Sequence, residues 1–318
     1  MSTRSQPVLS VVIPAYNEAA SLPHLYTSLL PVLEGLDLTY EIIFINDGST
    51  DGSSAVLADL HTSDKTVHVL TLSRNFGKEL AVTAGLHRAR GQAILTLDAD
   101  GQFPVERIPA FISAWRNGAK VVIGRRTCRQ TGVIKRVYTA LFYNVFRHVT
   151  GLRIDPDLTD FRLIDQEVQT QFNRMTEHGR ITRGLVDWLG YDRVYVTYAE
   201  NSRRHGTATY SIRKLSRLAV DSAISLSVSP LYITAYIGSI VLPLATLLGL
   251  GMLVDWAIGD PLHLHATGSA YLAVFILWLI GVLLVSQGII GLYLSHIHTE
   301  TQNRPLYVVD EAHSKGWS

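Results

Sequence analysis

Two aspartates spaced one residue apart follow an apolar run, and together they could hold a metal ion. The run Ala93–Leu97 leads directly into Asp98, Asp100 and Gln102. Side chains two positions apart lie on the same side of an extended chain, so both carboxylates can face one divalent cation. Gln102 adds another oxygen, either as a ligand or as a hydrogen-bond partner of a ligand. Oxygen ligands of this kind suit Mg²⁺ or Mn²⁺ that bridges a diphosphate.

Two polar segments nearer the N-terminus carry residue types that can bind a nucleoside. Pro14, Tyr16 and Glu18 follow the first apolar run of the chain, and Asp47 follows the second. Pro14 fixes the turn, the Tyr16 ring can stack on a base, and the Asp47 carboxylate can accept hydrogen bonds from a base or a ribose. An ordinary turn between a strand and a helix is the alternative for either segment taken alone.

Strand-like and helix-like segments alternate between residue 8 and about residue 200. This alternation is typical of βαβ units around a mainly parallel sheet, in which ligands bind at the carboxyl ends of the strands. The acidic motifs fall at those ends. The predicted strands are Val8–Ile13, Glu41–Ile45, Val67–Leu72, Ala93–Leu97 and Lys120–Ile123, and the predicted helices are Ala19–Leu33, Ser53–His61, Glu79–Ala89 and Val105–Trp115.

The C-terminal third has the composition of a membrane segment. Asp, Glu, Lys and Arg are absent from residues 222–254 and 261–299. Because about 20 apolar residues cross ~30 Å of hydrocarbon, two transmembrane helices are predicted near Leu231–Val254 and Ala270–Leu294. Lys and Arg flank the pair, whereas the loop Asp255–Ser269 contains neither, so the N-terminal domain and both termini are expected in the cytoplasm. A buried hairpin of a soluble protein is the alternative.

Residues 134–149 form an amphipathic pattern with basic ends. Apolar side chains recur at helical spacing, and Lys135 and Arg136 stand at the start. The helix either packs on its own domain or lies at a membrane interface, where Lys135 and Arg136 would meet phosphate headgroups. The expected organisation is an N-terminal domain over 1–210, a juxtamembrane helix over 211–230, two transmembrane helices within 231–295 and a cytoplasmic tail over 296–318.

Composition excludes several function classes. A net charge of +1 gives no bulk attraction to nucleic acid, and a single cysteine, Cys128, excludes an internal disulfide and a cysteine-based zinc site. Neither a Gly-x-Gly-x-x-Gly after the first strand nor a Gly-x-x-x-x-Gly-Lys-Ser/Thr occurs, which disfavours nicotinamide oxidoreductases and P-loop nucleotidases.

Five motifs in order carry a resemblance to a known family. The chain is similar to the polyprenyl-phosphate branch of the family 2 glycosyltransferases, which includes dolichyl-phosphate mannose synthases and bactoprenol glucosyltransferases. The resemblance covers roughly residues 8 to 295. It implies an α/β GT-A fold, Rossmann-like with a mainly parallel sheet, followed by a two-helix transmembrane hairpin. The motifs are Ile13–Glu18, Asn46–Gly52, Asn75–Glu79, Asp98–Gln102 and Thr159–Arg162.

The resemblance also implies a role for individual residues. One departure concerns a loop that many relatives continue as Gly-x-Ser-Lys-Tyr, where this chain has Ala208 and Thr209 and therefore lacks a phosphate-directed lysine. By resemblance, the nucleoside is held by Pro14, Tyr16, Glu18 and Asp47, and the metal is held by Asp98, Asp100 and Gln102. The diphosphate is contacted by Arg126 and by Arg203, which lies on a flexible loop. The catalytic groups are Asp100, Arg126 and Asp160.

The implied reaction is inverting transfer of a hexose from a UDP- or GDP-sugar to undecaprenyl or dolichyl phosphate, with Mg²⁺ or Mn²⁺. A phosphate monoester is largely a dianion at neutral pH, since its second pKa is about 6. We therefore expect Asp160 to position a sugar hydroxyl, Arg162 or another arginine, with a base role or a folding pair with Arg162 as alternatives. A homo-oligomer is compatible with the resemblance. A catalytically degenerate membrane scaffold of the same fold is the competing function.

Overall fold

A computed structural model describes residues 7–126, 158–199 and 268–317 of the chain. A short 3₁₀ helix over Val105–Arg107 precedes the fourth α-helix. In chain order the described elements are β1 (Leu9–Ala15), α1 (Leu22–Glu34), β2 (Tyr40–Asn46), α2 (Ser53–Ser63), β3 (Val67–Thr71), α3 (Lys78–Arg88), β4 (Ala93–Thr96), α4 (Ile108–Arg116), β5 (Val121–Arg126), β6 (Leu158–Asp165), α5 (Gln166–Asn173), α6 (Thr182–Trp188), β7 (Arg193–Tyr198) and α7 (Gly268–Thr301).

The strands form one sheet in the order β3-β2-β1-β4-β6-β5-β7. All neighbouring strands pair in parallel except that β6 runs antiparallel to both β4 and β5. Every residue of β1 is buried, which is typical of a central strand covered by helices on both faces. The sheet is therefore the middle layer of a three-layer arrangement, with helices on both of its faces.

Helices cover both faces of the sheet through apolar stripes. On one face α1 buries Leu22, Leu25, Leu29 and Leu33 at helical spacing, together with α2 and α4, while α3, α5 and α6 pack on the other. Each fully buried leucine contributes about 1.5–3 kcal/mol. Helix α3 approaches the sheet closely because Gly85 has no side chain; a Cβ there would lie 2.7 Å from the Ile45 Cδ1 atom.

The structure confirms the mainly parallel α/β architecture predicted from the alternating pattern. All five predicted strands and all four predicted helices are present, with ends that differ by a few residues. Antiparallel insertion of β6 between β4 and β5 was not predicted, because the pairing partner of a strand depends on contacts distant in sequence.

The chain divides into two compact units. The first comprises residues 1–140, 154–210 and 304–318, and the second comprises 141–153 and 211–303. Residues 304–317, expected to be a separate tail, pair with the outer edge of β3. Val69 exchanges two backbone hydrogen bonds with Lys315, of 3.0 and 2.8 Å, and Asp310 N donates to Thr71 O at 2.8 Å. The end of the chain therefore belongs to the first unit.

The predicted membrane elements are only partly within the described residues. The second predicted span, 270–294, falls within α7. Over 7–126, 158–199 and 268–317, none of the helices is both long enough and apolar enough to traverse a bilayer. The first predicted span, 231–254, the juxtamembrane helix, 211–230, and the amphipathic helix, 134–149, all lie outside the described residues.

Candidate active site

The predicted motifs lie at one edge of the sheet. Strands β1, β2 and β4 run parallel, and their carboxyl ends lead into Tyr16, Asp47 and Asp98. Parallel strands bring such segments together, which is why this edge is the usual ligand site of α/β folds.

The loops after β1 and β2 hold each other by side-chain hydrogen bonds. Asn17 N donates to Ser49 Oγ at 3.0 Å, and Thr50 N donates to Asn17 Oδ1 at 2.9 Å. Glu18 N donates to the Ser53 hydroxyl at 2.9 Å. The adjacent Tyr16 side chain is 46% exposed and so presents a ring on which a base could stack.

Asp47 holds the loop that follows β3. Its Oδ1 accepts a hydrogen bond from Phe76 N at 2.7 Å, and its Oδ2 accepts one from Gly77 N at 2.9 Å. Burial raises the pKa of this carboxyl, although the two backbone hydrogen bonds oppose the rise. The neighbouring Gly48 has φ +65°, and a Cβ there would lie 2.6 Å from Asn75 N, so only glycine fits against that loop.

The pairing of β4 with β6 brings two acids to the same level. Thr96 stands opposite Arg162 in this antiparallel pair, and the Thr96 hydroxyl donates to the Asp160 carbonyl at 2.9 Å. Asp98 lies two residues after Thr96, just beyond the end of β4. Asp160 lies two residues before Arg162 on β6. The antiparallel register therefore places their side chains at the same edge.

Lys78 bridges these two carboxylates. Its Nζ atom lies 2.7 Å from Asp98 Oδ1 and 2.8 Å from Asp160 Oδ2. The three side chains are partly exposed, at 41%, 24% and 37% for Lys78, Asp98 and Asp160. The alternative in which Asp160 pairs with Arg162 is not the pair formed: the carboxylate contacts Lys78, and Arg162 is a charged neighbour.

The charges in this cluster shift one another. Burial raises the pKa of Asp98 to about 6, with Lys78 opposing the rise. Burial acts in the same direction on Asp160, but Lys78, Arg183 and Arg162 outweigh it and lower that pKa. Burial alone would lower the pKa of Lys78, yet the two aspartates raise it. At neutral pH the cluster is therefore an ammonium between two carboxylates.

Asp100 and Gln102 lie just beyond this cluster and are half-buried. The Asp100 Oδ1 atom accepts a hydrogen bond from Gln102 N at 3.1 Å, which closes a tight turn. In the described part of the chain, no three His, Cys, Asp or Glu side chains gather into a metal-binding group. Two carboxylates with an amide nevertheless fit Mg²⁺, which is commonly held by one or two carboxylates and completed by substrate phosphates.

A cleft continues inward from Lys78. Its volume is about 320 Å³ when space open to solvent is included, and Arg162, Thr182 and Arg183 are among the residues that line it. Arg162 is 3% exposed, and its Nη1 atom has no hydrogen-bond partner among the described residues. Pro14 also lines the cleft. An unsatisfied buried donor of this kind can bind a ligand oxygen.

The remaining predicted site residues are placed in part. Arg126 is the last residue of β5, whose carboxyl end lies at the same edge as that of β4. Lys135, Arg136 and Arg203 lie outside the described residues, as does Thr209.

Lys78 lies within the motif Asn75–Glu79, but the sequence alone assigned it no role. A signal was present, since the lysine begins a helix directly after a strand of the same sheet edge. Arg183 and Thr182 gave no comparable signal, because their approach to the cleft depends on how α6 packs against α3.

Comparison with known proteins gives the family. The sequence model of the family described as glycosyl transferase family 2 matches residues 10–172. An uncharacterised glycosyltransferase of Synechocystis is 40% identical over 304 residues, which is 95% of either chain. A prophage-derived bactoprenol glucosyl transferase of Shigella flexneri is 35% identical over 96% of this chain and 98% of its own.

Solved structures support the fold. Glucosyl-3-phosphoglycerate synthase of Mycobacterium tuberculosis superposes with a TM-score of 0.51 at 20% identity, covering 69% of this chain and 79% of its own. Mannosyl-3-phosphoglycerate synthase of Rubrobacter xylanophilus gives 0.50 at 18% identity, covering 69% and 72%. From its full-length relatives and the matched family model, the chain belongs to glycosyl transferase family 2 and is a glycosyltransferase.

Proposed function

We propose that this glycosyltransferase moves a hexose-type sugar from a UDP- or GDP-sugar to a polyprenyl phosphate at the cytoplasmic face of a membrane. The observation that carries the proposal is the extent of its similarity to bactoprenol glucosyl transferases. That similarity spans 96% of this chain, so it includes the uncharged C-terminal segments as well as the catalytic unit.

The cleft supports a displacement at the anomeric carbon. A phosphate oxygen of the lipid forms the new bond to that carbon while the bond to the donor's diphosphate breaks, and the nucleoside diphosphate leaves. The attacking phosphate is largely a dianion at neutral pH, so no proton has to be removed. Inversion of the anomeric configuration follows from a single displacement.

Asp98, Asp100 and Gln102 would hold a divalent metal in this account. Mg²⁺ or Mn²⁺, when bound, supplies positive charge to the departing diphosphate. The similar M. tuberculosis fold was solved with Mn²⁺ and UDP, which is consistent with such a site. Arg126, at the end of β5, would meet the same diphosphate through its guanidinium.

Asp160 would act as a positioning group in this reaction. Lys78, Arg183 and Arg162 keep its pKa low, so it is a carboxylate and a weak base at neutral pH. A carboxylate accepts hydrogen bonds well, and a sugar hydroxyl entering the cleft would meet it there.

The C-terminal segments would anchor the enzyme where its acceptor lies. Two spans at 231–254 and 270–294, with Lys and Arg on both sides and neither between them, would keep the catalytic unit cytoplasmic. Lys135 and Arg136 would contact the acceptor's phosphate, and Arg203 would contact the donor's diphosphate. A lipid acceptor stays within the bilayer, so the site has to work at the bilayer surface.

An incubation of membranes with a panel of radiolabelled nucleotide sugars tests this proposal. We expect one UDP- or GDP-hexose to label the organic extract, and the Asp100→Ala variant to lose that labelling. A catalytically degenerate scaffold would leave the extract unlabelled by every donor. Label that appears equally with Asp100→Ala would remove the assigned site from the reaction.

A further inference from the structure

The ammonium group of Lys78 occupies the place in the cleft where a cation would be expected. Its three contacts, with both Asp98 oxygens and with one oxygen of Asp160, lie between 2.7 and 2.8 Å. These are the only hydrogen bonds and ion pairs of the two carboxylates in the part of the chain that the structure describes, and Arg162 and Arg183 add charge near Asp160. One side chain therefore satisfies both acids.

The backbone that carries Lys78 is fixed from both sides. Asp47 binds Phe76 N and Gly77 N, the two backbone groups directly before it. Directly after it, the Glu79 carboxylate accepts a hydrogen bond from Thr182 N at 2.8 Å. The fold therefore holds the backbone of Lys78 in a position from which its side chain reaches both carboxylates.

This arrangement has a consequence for a divalent metal that arrives alone. Such an ion would have to take Asp98 from an ammonium at hydrogen-bond distance and would then lie beside that ammonium. It would gain only a few protein ligands, because the described residues contain no group of three metal-binding acids or histidines. A diphosphate changes the balance, since it brings further oxygen ligands and negative charge.

We propose that Lys78 is a built-in counter-ion that occupies the cation position of the cleft and makes metal binding depend on the donor's diphosphate. This proposal rests on the proposed function for its donor class. Lys78 acts through Asp98 and is a positioning residue. Its effect is that the metal enters together with the donor.

Electron paramagnetic resonance of Mn²⁺ tests this proposal without any measurement of transfer. The loss of the free-ion signal gives the dissociation constant for Mn²⁺, measured at mildly alkaline pH with and without UDP. The proteins compared are wild type, Lys78→Met, Lys78→Arg and Lys120→Met. Lys120 is the matched control. It is also 41% exposed, and its Nζ atom lies 3.1 Å from carboxylate oxygens of both Asp165 and Glu167. It directly precedes β5, however, and so lies at the opposite end of the strands from the site.

We expect wild type to bind Mn²⁺ weakly alone and at least tenfold more tightly with UDP, which corresponds to about 1.4 kcal/mol. Lys78→Met should bind Mn²⁺ alone at least tenfold more tightly than wild type, so that UDP adds less. Lys78→Arg, which keeps the charge, and Lys120→Met should behave like wild type.

Unchanged or weaker Mn²⁺ binding in Lys78→Met, with its fold intact by circular dichroism, would overturn the proposal. If Lys78→Met does not fold, the wild-type measurement tests the proposal by itself. Wild-type protein that binds Mn²⁺ equally tightly with and without UDP would also overturn the proposal. Because no acceptor is present, failure to glycosylate a polyprenyl phosphate would leave these results unaffected. The two proposals therefore fail separately.

Discussion

At the scale of single residues, Asp47 has a firmer structural role than its motif suggests. The sequence pattern assigns it to a nucleoside, and the structure shows both of its oxygens engaged by the backbone of the loop before α3. A nucleoside contact remains compatible with this arrangement, because each carboxylate oxygen accepts more than one hydrogen bond.

Replacement of Asp47 by asparagine should therefore damage both stability and activity. The amide group would turn one acceptor into a donor that faces a backbone N–H, which costs about 1–3 kcal/mol. Denaturant unfolding and kcat/KM would be measured together. Asp59→Asn, an exposed aspartate of α2, is the control and should change stability by less than ~0.5 kcal/mol. An Asp47→Asn protein of normal stability would show that the loop does not need this carboxylate.

Asp160 gives the clearest pH prediction. Its low pKa means that the carboxylate is fully ionised throughout the neutral range, so it titrates below the pH of the assay. Between about pH 6 and 9 the Asp160→Asn variant should lose activity by a similar factor at each pH, because the acceptor needs no base. A pH–rate profile for Asp160→Asn that rises toward wild type above about pH 7 would identify Asp160 as a base instead.

At the scale of elements, the C-terminal segment, residues 304–317, covers the outer edge of the sheet by pairing with β3. Without it, β3 would present unpaired backbone groups, which are a template for aggregation. Trp317 closes the segment: its indole N–H donates to Val69 O at 2.8 Å, and its ring packs against His68 at 5.3 Å.

Removal of the Trp317 side chain should loosen this edge. Trp317→Ala is expected to lower the free energy of unfolding by about 2 kcal/mol through the lost hydrogen bond and ring contacts. Hydrogen exchange should then speed up at the amides of Val69 and Lys315. Trp188→Ala, which removes a ring that is 77% exposed, should leave both quantities nearly unchanged. Equal effects of the two variants would mean that the end of the chain does not stabilise the sheet.

The elements also show what sequence patterns can and cannot predict. Runs such as Val8–Ile13 identify strands because burial on both faces requires continuous apolar residues. The same reasoning gives no partner for β6 and no docking site for residues 304–317, although Tyr307, Val309 and Trp317 of this segment pack against the core. Lys78 was missed for a related reason: its place at the start of a helix put it near the site, but its contacts with two aspartates depend on the packing of segments distant in sequence.

At the scale of the whole molecule, the proposed anchoring in a membrane predicts a definite topology. In a protein whose Cys128 is changed to serine, single cysteines would be placed in the loop 255–269 and near Arg304. An impermeant thiol reagent added outside intact cells should label the loop and leave the second position unlabelled, because Lys and Arg are absent from the loop. Labelling in the opposite sense would put the catalytic unit on the other side of the membrane.

The central claim is the acceptor, since similar folds occur in synthases named for a soluble phosphoglycerate acceptor. Mass spectrometry of the products from purified enzyme, a UDP- or GDP-hexose, Mn²⁺ and undecaprenyl phosphate addresses it most directly. We expect a lipid heavier by one hexosyl group, formed from undecaprenyl phosphate and not from undecaprenol. Transfer to 3-phosphoglycerate with an unchanged lipid, or release of free hexose alone, would contradict it.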